Sequence, residues 1–156
     1  MKLLVVAVGR RMPAWVDAGL NEYAQRMPRA ARLELIAIKP EARSEGRTVE
    51  RLVEAEGKRI LGALPARSVK VVLDEGGALL STSELSRRIE RWRDTGRDIA
   101  FIVGGADGLA ESVKRASEFK WSLTPLTLPH GLVRVVLAEQ LYRAVSILHN
   151  HPYHRD

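Results

Sequence analysis

The chain has 156 residues, 46% of them hydrophobic and 28% charged, the size and composition of one soluble globular domain able to bury a sizeable core. No run approaches the ~20 apolar residues that span a bilayer, and with no cysteine neither a disulfide framework nor a thiolate metal site can form, which fits a reducing cytoplasm. A formal net charge of +6 favours an acidic partner, of which phosphate-rich nucleic acid is the commonest, while an aromatic content of 5% disfavours a flat stacking platform for single strands.

Lys2 to Val8 is a nearly continuous apolar run ended by Gly9, which reads as a buried strand of a parallel sheet. A cleavable leader is the weaker reading, because Gly9-Arg10-Arg11 closes the run and no small-residue cleavage site follows. From Pro13 to Met27, Trp15, Val16, Leu20 and Tyr23 recur at helical spacing, with the proline placed for the first turn. Leu33 to Ile38 is a second strand stopped by Pro40, and the charged residues 41–47 predict an exposed, mobile loop. Thr48 caps a helix carrying Leu52, Val53, Ile60, Leu61 and Leu64 on one side. Val69 to Leu73 is a third buried strand, and it runs into Asp74-Glu75-Gly76-Gly77.

Ser81 and Glu84 have the spacing of a capping box, opening a helix with Leu85, Ile89 and Trp92 inward and Gly96 as its stop. Its outer face carries Arg87, Arg88, Arg91 and Arg93, which suits a grip on RNA phosphates and equally an ordinary solvated helix. Ile99 to Val103 is a fourth strand, followed by Gly104-Gly105-Ala106-Asp107-Gly108 and a short helix over Ala110 to Glu118. An irregular segment from Trp121 to Pro129 leads into a last helix from Leu132 to His149. That helix is apolar around most of its circumference, with Val133, Val135, Val136, Leu137, Leu141, Val145, Ile147 and Leu148. One sheet face cannot cover all of these, which predicts a homodimer with this helix in the interface. Glu139 and Arg143 have i,i+4 spacing on its polar side.

Strands alternating with helices predict an α/β fold, a mainly parallel sheet flanked by helices in one domain over residues 1–156. Ligands of such sheets bind beyond the carboxyl ends of the strands, where this chain places Gly9, Gly76-Gly77 and Gly104-Gly105. The G-x-G-x-x-G spacing and the G-x-x-x-x-G-K-[ST] loop are both missing, so nicotinamide and ATP chemistry lose ground. A tight strand-to-helix turn explains the glycines after Val103 as well as a ligand does. Trp121 to His130 is apolar and hydroxyl-rich with two prolines, a composition suited to the wall of a site for an adenine ring and a sulfonium. The tail, His149 to Arg155, has H-x-H spacing without cysteine and is not read as a metal site. Its Tyr153, His154 and Arg155 suit an RNA-binding or catalytic surface.

These segments together carry a resemblance. Lys-Leu-Leu-Val-Val-Ala-Val-Gly9, Leu73-Asp-Glu-Gly76, Phe-Ile-Val-Gly-Gly-Ala-Asp-Gly108, Leu-Thr-Leu-Pro-His130, Arg134-Val-Val-Leu-Ala-Glu-Gln-Leu-Tyr-Arg143-Ala and His-Pro-Tyr-His-Arg155 resemble the RlmH family, in order and over essentially the whole chain. The resemblance implies a SPOUT-type domain with a deep trefoil knot near the carboxyl end, an exception to the rule that chains are unknotted. It implies transfer of a methyl group from S-adenosylmethionine to N3 of a pseudouridine in bacterial 23S rRNA. Carried over residue by residue, the cofactor pocket falls on Leu73, Gly104, Leu123, Thr124, Pro125, Leu126, Thr127 and Leu128. A cytoplasmic homodimer is implied, acting on the large ribosomal subunit or the 70S ribosome, the tail of one subunit completing the site of the other. The candidate catalytic groups are His130, Tyr153, His154 and Arg155, with Arg134 as a phosphate or anion contact and no metal needed. Rival readings are a non-catalytic RNA-binding module and a SPOUT enzyme aimed at transfer RNA.

Overall fold

The computed structural model describes residues 1–155. Its strands are β1 (Lys2–Val8), β2 (Arg32–Ile38), β3 (Val69–Leu79), β4 (Ile99–Val103) and β5 (Phe119–Ser122). The helices between them are α1 (Ala14–Arg26), α2 (Val49–Ala63), α3 (Thr82–Arg93), α4 (Glu111–Ala116) and α5 (His130–Leu148), and a short 3-10 turn, Pro152–Arg155, follows. All strand pairs are parallel, in the order β2-β1-β4-β3-β5. Parallel neighbours need crossovers, and the helices supply them on both faces.

The side-chain alternation of β1 divides the core. Leu3, Val5 and Ala7 pack with Leu20 of α1, Leu85 and Ile89 of α3, and Leu137 and Leu141 of α5. Leu4, Val6 and Val8 face the other way, onto Val53 and Ile60 of α2 and Val113 of α4. This double burial is why the sequence of β1 is an unbroken apolar run rather than an alternating one.

Helix starts follow their caps. The Thr48 side chain accepts from the Arg51 amide at 3.2 Å. Both halves of the Ser81/Glu84 capping box form, at 3.2 and 2.7 Å. Gly96 follows the end of α3 with φ of 72°, the left-handed conformation that halts a helix.

Boundaries differ from expectation at β3 and around β5, and α5 begins at His130, two residues before the expected Leu132. The third strand does not end at Leu73: it continues to Leu79, with a register break in which Leu73 and Ala78 both oppose Trp121. Asp74 to Gly77 are thus the extra residues of a bulge, which re-aims the chain at the sheet edge. The partner that makes this possible is β5, whose last two residues, Trp121 and Ser122, fall in the segment expected to be irregular; α4 stops at Ala116 and not at Glu118.

Gly77 is indispensable to this crossing, since a Cβ there would lie 2.7 Å from backbone atoms of Lys120 and Trp121. Backbone on both sides cannot yield as a flexible side chain can. We expect Gly77→Ala to cost about 3 kcal/mol or more in urea unfolding. Gly76→Ala should be near neutral, because its nearest neighbour is Asp74 Oδ2 at 3.8 Å; equal midpoints for the two variants would contradict this.

Helix α5 receives much of its cover inside the chain. It packs beside α1 and α3, with Ser86 Oγ donating to the Ala144 carbonyl at 3.0 Å and Thr82 Oγ1 to Gln140 Oε1 at 2.7 Å. Val133, Val135, Val136, Ile147 and Leu148 remain half-buried. Among the described residues, no helix is long and apolar enough to cross a membrane.

Candidate active site

Three bends at the carboxyl edge of the sheet enclose one cavity of about 540 Å³. The bulge of β3 brings Leu73 with Asp74 and Glu75, and the turn after β4 brings Gly104. The end of β5 brings Ser122, and the segment after it brings Leu123, Thr124, Leu126, Thr127 and Leu128. Seven of the eight sequence-predicted pocket residues therefore share a wall; Pro125 is exposed and stands off it. Gly104 is a true close approach, because a Cβ there would sit 2.9 Å from the Gly108 carbonyl group. The post-β5 segment is held by a local turn, the Leu126 amide donating to Thr124 Oγ1 at 3.1 Å and Ser122 Oγ to the Thr124 carbonyl at 3.2 Å. Leu73, Leu109, Leu123, Leu126 and Leu128 are among the lining residues, Leu126 being 72% exposed, and Lys114 lines the cavity too, 3.9 Å from Asp74.

His130 opens α5 and lines this cavity. Its Nε2 lies 2.7 Å from the Val8 carbonyl. A carbonyl only accepts, so that nitrogen carries a hydrogen; Arg134 Nη2, 3.4 Å away, is itself only a donor and cannot supply the reverse bond. In the neutral ring the acceptor lone pair then belongs to Nδ1.

Arg134, expected at a phosphate or anion, is in fact 1% exposed. It rises from the inward face of α5, and Nη2 donates to the carbonyls of Val8 at 3.1 Å and Gly9 at 2.7 Å. Burial pushes its pKa below the usual arginine value, with Asp17 pulling it partly back. Its role here is to fix the end of β1 and, through Val8, the ring of His130.

The tail sits at the other end of α5. The Tyr153 ring packs on Tyr142 at 4.6 Å between centroids, and its hydroxyl donates to Glu139 Oε1 at 3.1 Å. Arg143 Nε donates to the same carboxylate oxygen at 2.8 Å, so the expected Glu139/Arg143 pair forms, half-buried, and anchors the tail. Burial first, then the Glu139 charge, push the Tyr153 phenol up to about 12, keeping it a donor. His154 Nδ1 is buried with no hydrogen-bond partner. A helix of 19 residues is about 28 Å long, so Tyr153, His154 and Arg155 do not reach the cavity of their own chain.

The four outer arginines of α3 are not alike. Arg88 stacks on Phe119, 3.8 Å from the ring centroid, and Arg93 lies 3.6 and 3.5 Å from Glu90 and Asp94. Arg87 and Arg91 are exposed.

A second, smaller cavity of about 130 Å³ adjoins the first, sharing Gly105, Ala106 and His130 with it. The loop over residues 41–47 forms its rim. That loop is tied down: Glu41 pairs with Arg47 and Arg59, and Arg43 with Asp107. Sequence reasoning missed Glu56, which lines this cavity. Its signal was a carboxylate among Leu52, Val53, Gly57 and Ile60, on the buried side of α2.

A wholly parallel sheet with glycine-lined bends enclosing a cavity at its carboxyl edge is the arrangement of the SPOUT methyltransferases, and the family model described as "Predicted SPOUT methyltransferase" matches residues 1–154. Solved structures agree on the fold. A "probable methylase family protein" from Haemophilus influenzae superposes with a TM-score of 0.55 at 12% identity, covering 97% of this chain and 69% of that one. A Legionella pneumophila protein, Lpg2936, solved with bound cofactor SAM, gives 0.50 at 11% identity, covering 93% and 66%. Much higher identity is found with proteins named ribosomal RNA large subunit methyltransferase H. That of Bordetella petrii is 54% identical over 155 residues, 99% of each chain, and that of Methylobacillus flagellatus 47% identical over 156 residues, all of each chain. The chain belongs to this RlmH family of SPOUT methyltransferases.

Proposed function

We propose that the protein transfers a methyl group from S-adenosylmethionine to N3 of a pseudouridine in 23S rRNA, on the assembled ribosome in the bacterial cytoplasm. It works as a homodimer of single SPOUT domains spanning residues 1–156, each with a carboxyl-terminal knot. The observation that carries this reading is the convergence of Leu73, Gly104 and Leu123–Leu128 on one cavity with His130 at its edge.

The residues fit the cofactor. The cavity has the volume of a small-molecule site, its leucines offer apolar contact for an adenine, and the hydroxyl and backbone groups of its lining residues suit the polar edges. When bound, S-adenosylmethionine supplies an electrophilic methyl whose C–S bonding pair leaves with sulfur, so no metal is needed. The protein must orient the base in line and remove one proton. An imide N3–H is a poor nucleophile until that proton departs, and we assign His130, which lines the cavity, as its acceptor through Nδ1. Tyr153, His154 and Arg155 of the partner subunit complete the site: in an isologous dimer with α5 helices side by side and opposed, the tail of one chain lies beside the His130 end of the other. The buried, unpartnered His154 Nδ1 supports a tail that finishes its bonding outside its own chain.

We assign contact with RNA phosphates to Arg10 and Arg11, exposed shortly after Val8, the last residue of β1 and part of the second cavity's lining. Replacing both with alanine should weaken RNA binding and reduce the slope of log K against log salt by about 1.5–2; an unchanged slope would remove them from the interface. The reading as a whole is tested by tritiated methyl transfer to intact ribosomes, naked 23S rRNA and tRNA. We expect label in 23S rRNA of intact ribosomes, and label in tRNA alone would overturn the assignment.

A further inference from the structure

We infer that the second cavity seats the target base and that Glu56 reads the N–H which distinguishes pseudouridine from uridine, an inference that rests on the methyl-transfer reading above. The two cavities meet at Gly105, Ala106 and His130, so a ring in the smaller one presents an edge to whatever fills the larger. Its volume of about 130 Å³ is on the scale of one planar ring and far below that of the first. A base reaches such a pocket only after leaving its stack.

The chemistry of the lining selects the ring. Of the carboxylates here, Glu41 is held by Arg47 and Arg59, and Asp107 by Arg43. Glu56 differs. Its Oε2 accepts from the Glu41 amide at 3.0 Å, while Oε1, which lies 3.7 Å from the position of a Cβ on Gly105, has no hydrogen-bond or ion-pair partner among the described residues. An acceptor-only group on one wall and His130 Nδ1 on another call for a ligand with two N–H donors on one ring. A uracil joined to ribose through nitrogen has one, at N3. Joined through carbon, as in pseudouridine, the ring has a second at N1. We assign N1–H to Glu56 Oε1 and N3–H to His130. Leu52, Pro40 and Val8 close the apolar sides, and the Arg43/Asp107 pair fastens the rim loop to the wall that both cavities share.

The experiment compares 70S ribosomes carrying pseudouridine at the target with ribosomes carrying uridine there, from a strain lacking the isomerising enzyme. A charge-assisted bond to the extra N–H predicts that wild-type protein methylates the pseudouridine form about 10- to 100-fold faster. Glu56→Ala should pull that rate down toward the uridine rate. Glu56→Gln separates reading from support: its amide oxygen can keep the bond to the Glu41 amide while NH2 replaces Oε1, so it should lose discrimination as Ala does, with calorimetric S-adenosylmethionine affinity unchanged. Retained discrimination in Glu56→Gln overturns the proposal, as does an equal fall in both rates or a loss of cofactor affinity. Wild-type protein that labels neither ribosome would instead overturn the functional reading on which it rests.

Discussion

Substituting Tyr153, His154 and Arg155 together is expected to abolish methyl transfer while leaving S-adenosylmethionine affinity nearly unchanged. The cause is positional. These residues stand at the far end of α5 from the cavity that their own chain forms, held there by the ring contact with Tyr142 and the Glu139/Arg143 pair. Their loss leaves the leucine-lined wall intact and, in the proposed dimer, removes groups that the tail would give to the partner. Subunit mixing separates this from a folding defect: tail-substituted chains combined with chains carrying Gly104→Val should recover activity, because the mixed dimer keeps one cavity and the opposite tail. Full activity in the triple variant, or no recovery on mixing, contradicts a shared site.

The second large effect is at His130. Replacement by alanine should lower kcat by about 10²–10⁴, the contribution of a positioned general base, with cofactor affinity altered little. Arg134→Met tests the support of that ring. The guanidinium holds the Val8 and Gly9 carbonyls, so its loss should reduce both kcat and stability, whereas His130→Ala should leave the unfolding midpoint near that of the parent. A His130→Ala enzyme within about twofold of wild type would exclude the imidazole from proton removal.

Much of this architecture was legible in the sequence because burial imposes patterns on it. The doubly covered strands β1 and β4 have the bounds that their apolar runs predict, Lys2–Val8 and Ile99–Val103. Thr48 and the Ser81/Glu84 box mark helix starts since an orphan amide needs an acceptor. Less legible was whatever depends on long-range pairing. The extension of β3 to Leu79 exists only because β5 lies beside it, and β5 is four residues long with one of them exposed, too short for its period to show. The pocket leucines were found through family resemblance and not through periodicity. Arg134 misled because an arginine signals phosphate, whereas here it is buried and its Nη2 donates to two backbone carbonyls in the interior. Glu56 went unremarked although an acidic residue on a helix's apolar stripe is itself a signal, and the ion pairs that tie down residues 41–47 join positions far apart in the chain.

The most direct test is crystallographic: the protein soaked with S-adenosylmethionine. The account predicts one adenosyl group per chain, its base against Leu123, Leu126 and Leu128, its body between Leu73 and Gly104, and its methyl directed toward His130. Density for the compound at any other place, or a blocked cavity in crystals of protein that binds it in solution, would contradict it.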